Sequence, residues 1–220
     1  MRGLFVVLEG PEGAGKTTLA ATLAGWIRQC GLDPVVVREP GGTPAAEALR
    51  AELLESDRGF SPELELLYIA AARADLVAKV IGPGLAAGRV VLSDRFDLST
   101  RAYQGAGRGL PAEMVDWVNR AATDGIRPDL TLVLDLPPEV GRARQLAAGK
   151  AGDRLDRETS EFHRRVWERY LAEQGPGVHH LDATQPEWAV AADARRILGA
   201  VRPDLFLRGE APNASRRSPG

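Results

Sequence analysis

Residues 10–17 read Gly10-Pro11-Glu12-Gly13-Ala14-Gly15-Lys16-Thr17, a full match to G-x-x-x-x-G-K-[ST]. The spacing has a chemical reason. Glycines let backbone N–H groups converge on phosphate oxygens, and the helix that follows adds the positive end of its dipole. Lys16 then reaches the terminal phosphates and the Thr17 hydroxyl is placed to ligate Mg2+. Arginine outnumbers lysine 25 to 3 in this chain, yet a lysine stands here, where a compact ammonium fits and a guanidinium fork does not. The stretch from Gly10 to Thr18 is therefore expected to bind a nucleoside triphosphate.

Such a loop needs a strand before it and a helix after it. Five short apolar runs read as strands: Leu4–Leu8, Pro34–Arg38, Arg89–Ser93, Leu130–Leu134 and Gly177–Leu181. Four lack polar alternation, as strands buried on both faces of a parallel sheet do; the last, with His179 and His180, suits an edge. Helical periodicity covers Lys16–Cys30, Pro44–Leu54, Pro62–Val80, Pro111–Ala122, Pro138–Ala147, Thr159–Glu173 and Pro186–Ala200, several of them opened by proline. The alternation predicts an α/β fold, a five-stranded parallel sheet flanked by helices, with ligands at the carboxyl ends of the strands.

Composition narrows the function classes. The chain has 220 residues, 44% hydrophobic and 26% charged, so one sizeable core is expected. A net charge of 28 − 30 = −2 argues against a nucleic-acid coat. One cysteine, Cys30, excludes a disulfide framework and a cysteine-rich zinc site. No uncharged run approaches membrane-spanning length, and Glu9 interrupts the first apolar run too early for a signal peptide, so a soluble cytoplasmic protein is expected. From Pro203 to Gly220, 8 of 18 residues are Pro, Gly, Ser or Asn, so residues 1–202 are expected to form the domain and 203–220 a frayed tail.

A phosphate loop alone does not separate GTPase, motor, transporter and kinase. No Asn-Lys-x-Asp run is present to read guanine. Further motifs follow in order: Arg38-Glu39-Pro40-Gly41-Gly42-Thr43, Ala71-Ala72-Arg73-Ala74-Asp75, Asp94-Arg95-Phe96, Ser99-Thr100-Arg101-Ala102-Tyr103-Gln104, Asp153-Arg154-Leu155-Asp156 and Asp182-Ala183-Thr184-Gln185-Pro186. Together they closely resemble bacterial thymidylate kinases, from about Arg2 to Ala200, and the Asp-Arg-Phe…Tyr-Gln stretch is the most specific of them.

The resemblance implies the P-loop NTPase fold with a mobile lid at about 142–157, and transfer of a phosphoryl group from ATP to dTMP with Mg2+ in dTTP biosynthesis. A monophosphate acceptor is already anionic, so catalysis reduces to positioning and charge neutralisation. Lys16, Asp94, Arg95 and Arg154 are expected to be catalytic, with Thr17 and Asp94 at the metal and Arg144 as a second lid cation on ATP. Glu12, an acid inside the loop, matches the kind that carries its catalytic arginine in the lid, and would face the acceptor's 3′-hydroxyl. Arg38 and Arg95 are assigned to the acceptor phosphate and Arg73 to the thymine edge or phosphate. Thr100 and Gln104 would read the pyrimidine, and the Tyr103 ring would crowd a ribose 2′-hydroxyl. The resemblance also implies a homodimer, with no nucleic-acid or membrane partner.

Two positions depart from the family pattern. An aromatic commonly stands four residues before the counterpart of Arg73, to stack on thymine; here it is Ile69, with Tyr68 displaced about 100° around the helix. Asp75 stands where a neutral amide is frequent. Both bear on base selectivity and leave open another pyrimidine monophosphate or a nucleoside as acceptor. A nucleotide-binding regulator without turnover is the reading from a different class.

Overall fold

The computed structural model describes residues 3–55, 59–149 and 152–206. Five strands, β1 (Leu4–Glu9), β2 (Val35–Arg38), β3 (Val90–Asp94), β4 (Leu130–Asp135) and β5 (Val178–Asp182), form one sheet. All its pairings are parallel, in the order β2-β3-β1-β4-β5. β1 and β3 lie inside and are almost wholly buried, which is why they read as unbroken apolar runs. β5 takes an edge, as its histidines imply. The chain fills one side of β1 with β2 and β3, then returns to the other side for β4 and β5. That reversal opens a crevice beyond the carboxyl end of β1.

The side-chain alternation of β1 divides the core. Leu4, Val6 and Leu8 pack with α1 (Lys16–Gln29) and with the helix Glu187–Val201. Phe5 and Val7 face Leu76, Ile81, Leu85 and Phe96. Glu9 falls on this second side, so the pleat delivers a carboxylate into the protein interior at 0% exposure.

The helices follow the sequence pattern with three differences. α2 spans Pro44–Glu55 and α3 Pro62–Leu76, where the Ser61 hydroxyl accepts the Leu64 N–H and Pro62 occupies the first turn. The predicted helix to Val80 instead passes through a widened turn, Val77–Ile81, into α4 (Gly82–Ala86). Pro83 explains this, since it cannot donate to the carbonyl four residues back and its ring displaces that turn. A helix absent from the sequence prediction, α5 (Asp97–Thr100), runs on through a second widened turn, Arg101–Gly107. It buries Thr100, Tyr103, Gln104 and Gly107 at helical spacing. Its polar residues and two glycines mask the periodicity.

α6 (Ala112–Thr123), α7 (Pro138–Ala147), α8 (Ser160–Leu171) and α9 (Glu187–Val201) lie where expected. The third difference corrects the domain boundary. Pro203–Phe206 form α10, and Phe206 stacks on Trp26 of α1 at 4.9 Å, so the first four residues of the expected tail belong to the fold. The remainder, 207–220, lies outside the described residues. Among the described residues no helix is long and apolar enough to cross a membrane.

Candidate active site

The carboxyl ends of β1, β2 and β3 open into one cavity of about 930 Å³. The loop between β1 and α1 forms its middle. Gly13 has φ +73°, and a Cβ there would lie 2.3 Å from the Gly141 carbonyl oxygen, so the loop stacks backbone to backbone on α7. No side chain caps α1, which leaves its first-turn amides to a ligand. Lys16 is buried, and its Nζ donates to the carbonyls of Gly10 (3.0 Å) and Pro11 (2.7 Å). Burial pushes its pKa down to about 8, helped by Arg95, while Glu12, Asp94 and Glu9 pull the other way. Thr17 Oγ1 donates to Asp94 Oδ2 at 2.7 Å. A hydroxyl and a carboxylate side by side next to the phosphate loop are the hard oxygen donors that Mg2+ takes together with phosphates and water.

Arg95 stands at the turn after β3 with φ +77°, held by its N–H on the Leu8 carbonyl (2.9 Å) and by Ser93 Oγ on its own carbonyl (2.7 Å). This left-handed turn, unusual for a residue with a side chain, folds the guanidinium back against the phosphate loop. Arg95 pairs with Glu12, donates to Tyr103 Oη (3.1 Å) and the Gly10 carbonyl (3.1 Å), and lies over the Tyr103 ring. Burial acts to raise the Glu12 pKa, but the charges of Arg95 and Lys16 and the Tyr103 hydroxyl hold it down at about 2. Tyr103 thus braces Glu12 and Arg95 as well as lining the cavity.

Arg73 is placed at the cavity wall, but its role differs from the expected one. It is 1% exposed, and its N–H groups go to Glu39 (2.7 Å), Thr100 Oγ1 (2.9 Å), Asn119 Oδ1 (2.7 Å) and the Phe96 carbonyl (2.9 Å). All five donors are committed to the protein, so Arg73 fixes Glu39 and Thr100 rather than offering an open fork to a phosphate. Burial raises the pKa of Glu39 against the pull of Arg73. Ile69 lines the cavity, while Tyr68 turns away to an edge-on contact with Phe60. Asp75 accepts from Thr43 Oγ1 (2.5 Å) and pairs with Lys79, and it does not line the cavity. At this departure from the family pattern the carboxylate anchors the loop before α2, off the cavity lining.

Gly10 and Pro11 of the loop lie off the cavity lining, and Arg154 is the expected catalytic residue that the structure does not bring in. Its neighbours Asp153 and Leu155 line the cavity, but its own guanidinium donates to Glu65 Oε2 (2.6 Å) and the Leu53 carbonyl (3.0 Å), and packs on the Phe60 ring. Glu65 is buried and also accepts from Gln104 (2.7 Å) and Arg108. Arg144 lines the cavity from α7, and Arg38 lines it at the rim, half exposed and paired with Glu47 at 2.9 Å.

The sequence reading missed Arg50, which lines the cavity beside Pro40 and donates to its carbonyl at 2.9 Å. A signal was present: Arg50 shares the buried face of α2 with Ala46 and Leu53. The sequence reading quoted the turn at Ala183, Thr184 and Gln185 without giving it a site role and missed Val190; all four line the cavity. There Asp182 accepts from the N–H and hydroxyl of Thr184 and from Gln185 Nε2, holding the turn.

A phosphate loop at the middle of one cavity, whose wall also carries the Arg95–Glu12 and Arg73–Glu39 pairs, is the arrangement of a P-loop kinase. The comparisons name the family. A thymidylate kinase family model matches residues 8–194. A thymidylate kinase of Pseudomonas putida (strain GB-1) is 49% identical over 205 residues, covering 91% of this chain and 97% of the relative. One from Synechococcus sp. (strain JA-2-3B'a(2-13)) is 48% identical over 93% of this chain and 97% of the relative. One from Pseudomonas entomophila is 47% identical over 94% and 99%. The chain belongs to the thymidylate kinase family.

Proposed function

We propose that this enzyme moves the γ-phosphoryl group of ATP to the phosphate of dTMP, releasing ADP and dTDP, as a step of dTTP biosynthesis. The observation that carries the reading is one cavity lined by both Lys16 of the phosphate loop and Arg95, inside a chain of this family, with a donor arm along the loop and an acceptor arm on the Arg95 side. ATP lies along the phosphate loop, its base toward Ala183–Val190, and dTMP lies in the arm between Arg38, Ile69 and Tyr103. Family membership favours dTMP over another pyrimidine monophosphate, a nucleoside, or binding without turnover.

A phosphate oxygen of dTMP attacks the γ-phosphorus, the bond to the β–γ bridging oxygen breaks, and that oxygen leaves with ADP. The attacking oxygen is already anionic, so no base is required. Amides of Gly13, Gly15 and Lys16 and the Lys16 ammonium gather the donor phosphates. Arg95 holds the acceptor phosphate with Arg38 and Arg50 nearby, and Glu12, ionised throughout the physiological range, accepts from the 3′-hydroxyl. Thr100 and Gln104 face the base, with Ile69 as an apolar surface against it. Thr17 and Asp94 would hold Mg2+, which supplies charge neutralisation on the donor phosphates.

The segment 142–157 acts as the lid. Arg144 is already at the cavity, and Arg154 joins the transferring group by exchanging Glu65 for phosphate as the lid moves. The enzyme works as a homodimer in the cytoplasm; Leu64, Leu67 and Trp117, exposed on the adjacent helices α3 and α6, support a shared apolar face. Coupled ADP-release assays with dTMP, dUMP, dGMP and thymidine test the reading. Turnover led by dTMP supports it, and no transfer to any monophosphate rejects it.

A further inference from the structure

Glu9 has no part in the mechanism above, yet it is fully buried one residue before the phosphate loop. Its Oε1 accepts the N–H groups of Phe96 (2.9 Å) and Ser99 (3.1 Å), and its Oε2 accepts the hydroxyls of Ser99 (2.6 Å) and Tyr170 (3.2 Å). The same two hydroxyls each lie 3.0 Å from Arg95 Nη1. A hydroxyl has one proton to give and lone pairs to offer. We infer that Glu9 is a positioning residue for Arg95: its carboxylate draws the Ser99 and Tyr170 protons to itself, so that both oxygens present lone pairs to the guanidinium. This rests on Arg95 holding the acceptor phosphate.

Arg95 faces two carboxylates with different tasks. Glu12 meets it from the cavity side, where a phosphate competes for the same Nη2. The Glu9 relay grips Nη1 from behind and is buried. A guanidinium fixed on one nitrogen keeps its place when the other exchanges partners, which is the preorganisation that an anion site requires.

The charged and titratable groups facing Glu9 are Arg95, Asp97, Lys16 and Tyr170; Lys16, at about 8, loses its proton on the alkaline side of Glu9, where it would lower the rate rather than raise it. Burial pushes its pKa up to about 7, Asp97 adding to the rise and the Ser99 hydroxyl, Arg95 and the Phe96 N–H opposing it. Below that pH the carboxyl carries a proton of its own, Ser99 Oγ and Tyr170 Oη, 2.9 Å apart, re-pair with each other, and the negative charge behind Arg95 is lost.

Glu9→Gln is the discriminating variant, because its amide nitrogen donates to the hydroxyls and reverses them. It should raise the KM for dTMP about tenfold, the worth of one charge-assisted hydrogen bond, and leave the KM for ATP within about twofold. Between pH 6 and 8 the wild-type kcat/KM for dTMP should rise through two ionisations, that of Glu9 and that of the substrate phosphate at about pH 6. Only the first should vanish in the variant. Tyr170→Phe, which keeps the ring, should raise the dTMP KM by about threefold and keep the pH limb.

An unchanged dTMP KM with the wild-type pH profile in Glu9→Gln overturns the inference. So does an equal rise in both KM values with a lowered Tm, the mark of general loosening. If Glu9→Gln fails to fold, an unchanged dTMP KM in Tyr170→Phe overturns it alone. A wild-type enzyme that phosphorylates no acceptor instead rejects the function proposed above.

Discussion

In the proposed assignment the two arms of the cavity hold phosphate in different ways. The donor arm is made mainly of main chain: amides of the loop and of the first turn of α1, with Lys16 as its one buried cation. The acceptor arm is lined by side chains that already satisfy one another, Arg95 with Glu12 and Arg73 with Glu39, while Arg108 and Arg154 pair with Glu65 outside the cavity lining. Amide dipoles carry no net charge and can wait unpaired at a cavity wall. A buried guanidinium cannot, because desolvation would cost it several kcal/mol, on the order of what its ion pair returns. The proposed acceptor arm therefore carries its counter-ions with it, and binding there would exchange one anion for another.

The sharpest way to break this comparison is at the donor arm. Lys16→Met should lower kcat by about 10²–10³-fold with little change in Tm, since it removes a charge aimed at the transition state and leaves no partner ion stranded. Arg73→Ala should do the reverse in kind. It strands Glu39 and should cost about 3–5 kcal/mol of stability, read as a lowered denaturation midpoint. A stable Arg73→Ala enzyme with a selective loss of dTMP binding would mean that Arg73 reads the substrate directly.

Arg154 tests the exchange itself. Arg154→Ala should lower kcat by about 10–100-fold and raise the dTMP KM far less, because its charge counts when the lid closes. An unchanged kcat removes it from the mechanism and leaves Arg144 as the lid cation. The effect of pH should be smaller and one-sided. Lys16 loses its proton as pH rises through about 8, so ATP binding to the free enzyme, followed by calorimetry, should weaken on the alkaline side of that value. Glu12, with its pKa near 2, contributes stability that is present above its unfolded value of 4.5 and lost as pH falls from there toward 2. Ile69→Phe should give the smallest change, lowering the dTMP KM by about threefold if the base lies against that position. A weakened KM would move the base elsewhere.

The strands, most of the helices and the phosphate loop were legible because their signals are local. Eight contiguous residues spell the loop, and unbroken apolar runs mark β1 and β3. Arg95, Thr100, Tyr103 and Gln104, picked out by their motif, line the cavity. The helix that carries the last three was not read, since Ser99 and two glycines hide its period.

By itself, then, the sequence determined the chemistry of the donor arm and the order of the sheet-forming segments, both of which depend on neighbours a few positions apart. Only the tertiary structure decided which charges meet. Arg73 finds Asn119 across 46 positions, Arg154 finds Glu65 across 89, and Glu9 finds Tyr170 across 161. A charge in a sequence has no preferred partner. Its partner is fixed when folding withdraws the surrounding water and leaves one oxygen within reach.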